Sequence, residues 1–113
     1  MLEDVIRLNS LYDYYGELLT ENQRRCFELY YRDDYSLSEI ADEINISKQG
    51  VSENLKRAKK ELENLESKIK LIEKIAFIRN NLSKINSELV SNSDELRERI
   101  KQLSDQILEE LDN

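Results

Sequence analysis

Proline is absent from this chain, and glycine occurs only as Gly16 and Gly50. Sandwiches and barrels need many turn residues, so a sequence this poor in them is held to a mostly helical fold. With 113 residues there is room for one compact domain, or for a small domain with an extension. No apolar run approaches the roughly 18 residues that a membrane span requires. The opening MLEDVIRLNS has no basic head followed by an apolar core, so it does not read as a signal peptide. Cys26 is the only cysteine, which rules out an internal disulfide and fits a reducing cytoplasm. A lone thiol is either reactive or a small buried apolar group; its place on a face with Leu29 and Tyr30 favours the second. One cysteine and no histidine exclude a nitrogen- and sulfur-ligated metal site. There is no glycine-rich phosphate loop and no nucleophile with a base at motif spacing. No cofactor and no catalytic residue are therefore assigned, and the chain does not read as an enzyme.

Apolar positions set out the helices. Leu2, Val5, Ile6, Leu8, Leu11, Tyr12 and Tyr15 recur at threes and fours, which predicts an amphipathic helix over 2–16 stopped by Gly16. Tyr12, Tyr14 and Tyr15 form an aromatic cluster that either stacks on bases or packs on neighbouring helices, the commoner role. Thr20-Glu21-Asn22-Gln23 fits a capping box and starts a helix carrying Cys26, Phe27, Leu29, Tyr30 and Tyr31. The polar run Arg32-Asp33-Asp34-Tyr35 ends it. Ser36-Leu37-Ser38-Glu39 is a second capping box, opening a short helix with Ile40, Ala41 and Ile44 on one face.

The next residues carry the motif. Asn45 tolerates the left-handed conformation that a sharp turn needs. Ile46 is apolar, and Ser47 can cap another helix. Ile40, Ile44, Ile46, Val51 and Leu55 fill a seam, and Ala41 is small where a second helix crosses close. This is the spacing of a helix-turn-helix. With Val51, Leu55 and Ala58 turned inward, Ser47, Lys48, Gln49, Ser52, Asn54, Lys56, Arg57, Lys59 and Lys60 are the candidate nucleic-acid-binding residues. Lys56, Arg57, Lys59 and Lys60 suit phosphates, while Lys48 and Gln49 near the helix start suit base edges. Glu53 would face the same duplex, which is unfavourable unless it accepts from a cytosine amino group. Charge marks the same place. Residues 47–60 hold five bases and one acid, whereas residues 1–46 hold eleven acids and four bases, and the whole chain carries −7. A basic segment inside an acidic protein points to a localised contact surface rather than a general polyanion binder.

Beyond residue 60, Leu62, Leu65, Ile69, Ile72, Ile75, Ile78, Leu82, Ile85 and Leu89 recur at threes and fours. A continuous helix over 61–90 would be about 45 Å long, at about 1.5 Å per residue. A small helical core cannot bury so long a stripe, so part of it must meet another helix. Ser91-Asn92-Ser93-Asp94 is the best break. A last helix then carries Leu96, Ile100, Leu103, Ile107 and Leu111, folding back as a hairpin or pairing with a second chain. Leu62, Leu65, Ile69, Ile72, Ile78, Leu82, Ile85 and Leu89 are the candidate dimerisation residues. The fold class expected is all-α, a helix-turn-helix domain over 1–60 with a long coiled-coil-like or hairpin extension over 61–113 for dimerisation or partner binding. The expected partner is DNA or structured RNA, with a homodimer and no membrane. The alternative is a protein-interaction adaptor whose helix-turn-helix does not bind DNA.

Two resemblances bear on this. "LTENQRRCFELYYRDDYSLSEIADEINISKQGVSENLKRAKKELE" resembles the promoter-reading fourth region of sigma factors. More closely, "LYDYYGELLTENQR", "ELYYRDDYSLSEIADEINISKQGV" and "NLKRAKKELENLESKIKL" resemble the YlxM-like family of small helix-turn-helix proteins of Gram-positive bacteria. That second resemblance covers about the first 72 residues well. It implies an all-helical fold, a dimer, and an accessory or regulatory role in the signal recognition particle pathway, beside whose genes the family's genes sit. The chain departs from the sigma pattern at Glu53 and Asn54, where a small polar and a basic residue are usual. Both changes take favourable charge from the DNA-facing helix.

Overall fold

A computed structural model describes residues 2–88 and 94–112. Those residues form six α-helices and no strand, so the chain is all-α. The helices are α1 (Leu2–Tyr15), α2 (Glu21–Phe27), α3 (Leu37–Ile44), α4 (Lys48–Ile69), α5 (Leu71–Glu88) and α6 (Asp94–Asp112). The chain divides into two compact units, Met1–Ile69 and Lys70–Asn113. Where the sequence pattern suggested a boundary after residue 60, α4 continues unbroken to Ile69.

In the first unit, α1, α2 and α3 all pack on α4. Leu8, Leu11, Tyr12, Tyr15, Leu19, Phe27, Ala58 and Leu62 are buried. The tyrosine cluster mostly packs. Tyr12 stacks on Phe27 with ring centroids 4.5 Å apart and planes 8° apart. The Tyr12 hydroxyl donates to Glu28, and burial first, then that carboxylate, pushes its pKa well up. The Tyr15 hydroxyl donates to Glu66 of α4 at 2.6 Å, while Tyr14 stays on the surface. Gly16 is needed for space. A Cβ there would lie 2.8 Å from the Tyr12 ring, which is fixed by its stack on Phe27. Gly16 ends α1 and opens a short 3-10 turn to Leu18.

Both capping boxes form. Thr20 accepts from the Gln23 amide and Gln23 Oε1 from the Thr20 amide, each at 3.2 Å. Ser36 and Glu39 do the same at 3.1 and 3.0 Å. The turn after α2 has no signal in the sequence pattern. Glu28–Arg32 forms a π-turn, with the Asp33 amide donating to the Glu28 carbonyl at 3.1 Å. Asp34 closes it in the left-handed conformation, with φ 58°. The wider turn rotates the side chains beyond Glu28. Leu29 still packs against Cys26, but Tyr30 does not share that face and is 38% exposed.

The break between α4 and α5 also differs from the continuous helix suggested by the stripe. Lys70 adopts the left-handed conformation, with φ 58°, and its carbonyl accepts from the Lys74 amide at 3.0 Å in α5. That backbone costs an L-residue roughly 1–2 kcal/mol, and apolar spacing carries no sign of it. In the second unit α5 packs on α6. Only five residues join them, so the two run antiparallel as a hairpin. Of the expected break, Ser91, Asn92 and Ser93 lie outside the described residues, as does Leu89; Asp94 begins α6. Leu103 is buried, and so is Asn81 at 3% exposure. Asn81 Nδ2 donates to the Phe77 carbonyl at 2.8 Å, but Oδ1 has no partner among the described residues.

Candidate nucleic-acid interface

Cys26, Ile40 and Val51 form the buried heart of the seam between α3 and α4, with Leu37, Ala41, Ile44, Ile46 and Leu55 packed around them. The Cys26 thiol is free, and burial raises its pKa. Asn45 turns the chain with φ 57° and ψ 50°, and the amides of Asn45 and Ile46 both donate to the Ala41 carbonyl. Ser47 Oγ then accepts from the Gly50 amide at 2.9 Å and starts α4. A Cβ at Gly50 would sit 3.1 Å from that oxygen, so glycine keeps the cap open. The helix-turn-helix is thus held by short-range chemistry at every joint.

The seam decides what faces out. Val51, Ala58 and Leu62 are buried along one side of α4. Gln49, Glu53, Lys56 and Lys60 recur at fours and threes on the other side, and all four are exposed. Lys48, Ser52, Arg57 and Lys59 are exposed as well. Two sequence candidates are engaged elsewhere. Ser47 serves the cap, and half-buried Asn54 donates back to the Gly50 carbonyl at 2.8 Å. Lys59 has no ion pair among the described residues, and its charge helps to lower the carboxyl pKa values of Asp4 on α1 and Glu63 on α4. Arg57 reaches Glu53 at 3.9 Å, an exposed pair that solvent screens. Lys48, Lys56 and Lys60 have no ion pair among the described residues.

The side of α4 toward α1 is closed by a clamp. Arg7 donates to both oxygens of Glu63 at 2.8 and 2.7 Å. The hydrogen bonds, and then the charges of Arg7 and Lys59, hold the Glu63 carboxyl below its ordinary range. The side toward α2 is open. There Gln23, Arg57, Lys60, Glu61 and Asn64 line a cleft of about 400 Å³. Gln23 and Asn64 did not stand out in the sequence. Gln23 was accounted for by its capping box, and only packing of α2 on α4 brings it to Arg57.

Of the candidate dimerisation residues, Leu62 is fully buried and Leu65, Ile72, Ile78 and Ile85 are half-buried. Ile69 and Leu82 are open, at 45% and 50% exposure. Leu71, Leu108 and Leu111 are also exposed.

Residues 2–106 match the family described as UPF0122, "Putative helix-turn-helix protein, YlxM / p13 like". The chain belongs to this family. A UPF0122 protein of Bacillus thuringiensis (strain Al Hakam) is 41% identical over 112 residues, covering 99% of this chain and 100% of its own. A UPF0122 protein of Thermoanaerobacter sp. (strain X514) is 48% identical over 85 residues, 75% of this chain and 73% of its own. The likeness to the Bacillus protein runs through both units, so the helical extension belongs to the shared pattern along with the helix-turn-helix. The family is one of helix-turn-helix proteins rather than of enzymes. No described helix is long and apolar enough to cross a membrane.

Proposed function

We propose that this protein is a nucleic-acid-binding regulator that lays the first half of α4 against DNA or a structured RNA. The observation that carries the proposal is the outer row of α4 opposite the buried seam, where Lys56 and Lys60 are exposed and free of ion pairs among the described residues, with Lys48 likewise exposed and unpaired at the helix start. Lys48 and Gln49 would meet base edges, with Ser52 beside them. Lys56, Arg57 and Lys60 would meet phosphates. Ser47 and Asn54 would shape the helix rather than touch the ligand, and Lys59, off the outer row of α4, would contribute less.

The likeness to YlxM-like proteins supports the signal recognition particle pathway, in the cytoplasm, as the setting. The apolar side chains left open at Ile69 and Leu82 support a homodimer. A gel shift at low salt tests the proposal. A complex with genomic DNA fragments or with a small cytoplasmic RNA is expected, and none with either would end it. Sedimentation at tens of micromolar is expected to show a dimer, and a monomer there would remove that part.

A protein-interaction adaptor is the second reading. It is favoured by Leu108 and Leu111 of α6, 58% and 51% exposed beside exposed Glu109 and Asp112. Retrieval of this protein by purified signal recognition particle whose RNA has been removed would support it; absence of retrieval would count against it.

A further inference from the structure

We infer that the cleft between α2 and α4 seats a backbone phosphate of the bound nucleic acid, with Arg57, Lys60 and the Gln23 side-chain amide as its donors. This rests on the nucleic-acid reading above and adds where the backbone runs. The cleft has a volume of about 400 Å³, within the ~300–1,000 Å³ range of small-ligand clefts, and takes a phosphodiester with an adjoining sugar. It opens beside the exposed row of α4, so a backbone strand lying along that row reaches it.

The donor set suits an acceptor-only ligand. Lys60 brings an ammonium with no ion pair among the described residues. Arg57 is held only by the long, exposed contact to Glu53 at 3.9 Å, which a phosphate can displace. Gln23 has its Oε1 occupied by the Thr20 amide, so what the side chain has left to offer is its NH2. Asn64 adds a second carboxamide to the wall. Glu61 also lines the cleft and Glu53 flanks it; these two carboxylates moderate the site and disfavour free anions that bring no other contacts. On the opposite side of α4, Arg7 is already engaged, donating to both oxygens of Glu63. Backbone contact is therefore one-sided, toward α2.

The test uses the full chain and fluorescence anisotropy, with a short labelled DNA duplex and an RNA hairpin of equal stem length, each titrated across salt. Gln23→Glu keeps the capping oxygen and replaces the NH2 donor with negative charge. It is expected to leave the helical melting curve in place and weaken binding roughly tenfold. Arg57→Gln and Lys60→Gln are each expected to lower the salt slope by about 1, while Lys101→Gln on α6 leaves it alone. Absence of any complex with either probe overturns the inference together with the reading beneath it. Binding that Lys56→Gln weakens but Gln23→Glu, Arg57→Gln and Lys60→Gln do not overturns the inference alone.

Discussion

The two units treat their apolar side chains differently. The first buries them on three sides of one helix, with Phe27, Leu11, Tyr15 and Leu62 almost wholly covered, and ties the joints with two capping boxes and a left-handed asparagine. In the second, Leu103 is the one fully covered apolar side chain among the described residues, and the polar Asn81 is buried in its place along α5. Leu82, Leu108 and Leu111 remain in solvent. A helix-turn-helix must hold its outer row in register to be read against a ligand, and the first unit is built for that. Under the proposed dimer, the open apolar positions of the second unit would be covered by a partner.

That contrast can be broken most strongly at Phe27. Its ring lies between Tyr12 and Tyr31, so Phe27→Ala should cost about 3–5 kcal/mol of stability, read from urea unfolding. A cost under about 1 kcal/mol would mean that the first unit does not depend on this aromatic stack. In the second unit the expected sign is opposite. Asn81 Oδ1 has no partner among the described residues, and an orphaned buried acceptor costs about 1–3 kcal/mol, so Asn81→Leu should stabilise by that order. A loss of stability would show that the amide finds a donor in the assembled protein, which sharpens the comparison toward a partner-dependent second unit. Ser36→Ala removes one half of a capping box and should cost about 1 kcal/mol, by the same urea titration; an unchanged midpoint would put the register of α3 on packing alone.

The smallest effect is acid dependence. The Glu63 carboxyl titrates below its ordinary 4.5 because Arg7 hydrogen-bonds to it. Its lowered value means the contribution is present above the unfolded-state value and lost as pH falls through the folded one. Both side chains are substantially exposed, so screening keeps the effect small. The drop in stability on acidification should be slightly shallower in Arg7→Gln than in the parent, measured by thermal melts. An equal drop would show that the clamp adds nothing.

Much of the first unit was legible because its signals are local. Thr20 with Gln23, Ser36 with Glu39, Asn45 at the turn and Ser47 at the cap each act within four residues, and the structure shows all four contacts or conformations. The π-turn after Glu28 and the left-handed Lys70 were not legible, since neither uses a residue type that advertises it. The outer row of α4 was readable from helical spacing. Which of its residues remain available was not, because Asn54 is half-buried and donates back to its own helix. The cleft with Gln23 needs α2 packed on α4, and no spacing along the sequence carries that.

The proposed nucleic-acid binding stands most directly on the outer row of α4, and the salt dependence of binding measures that row. Affinity of the full chain for a DNA duplex or RNA stem is expected to fall linearly on logarithmic axes as salt rises. The double substitution Lys56→Gln, Lys60→Gln should lower the slope by about 2, since each base released from a phosphate contributes about 1. A slope unchanged by the double substitution, or no complex at low salt, would contradict that role for the row.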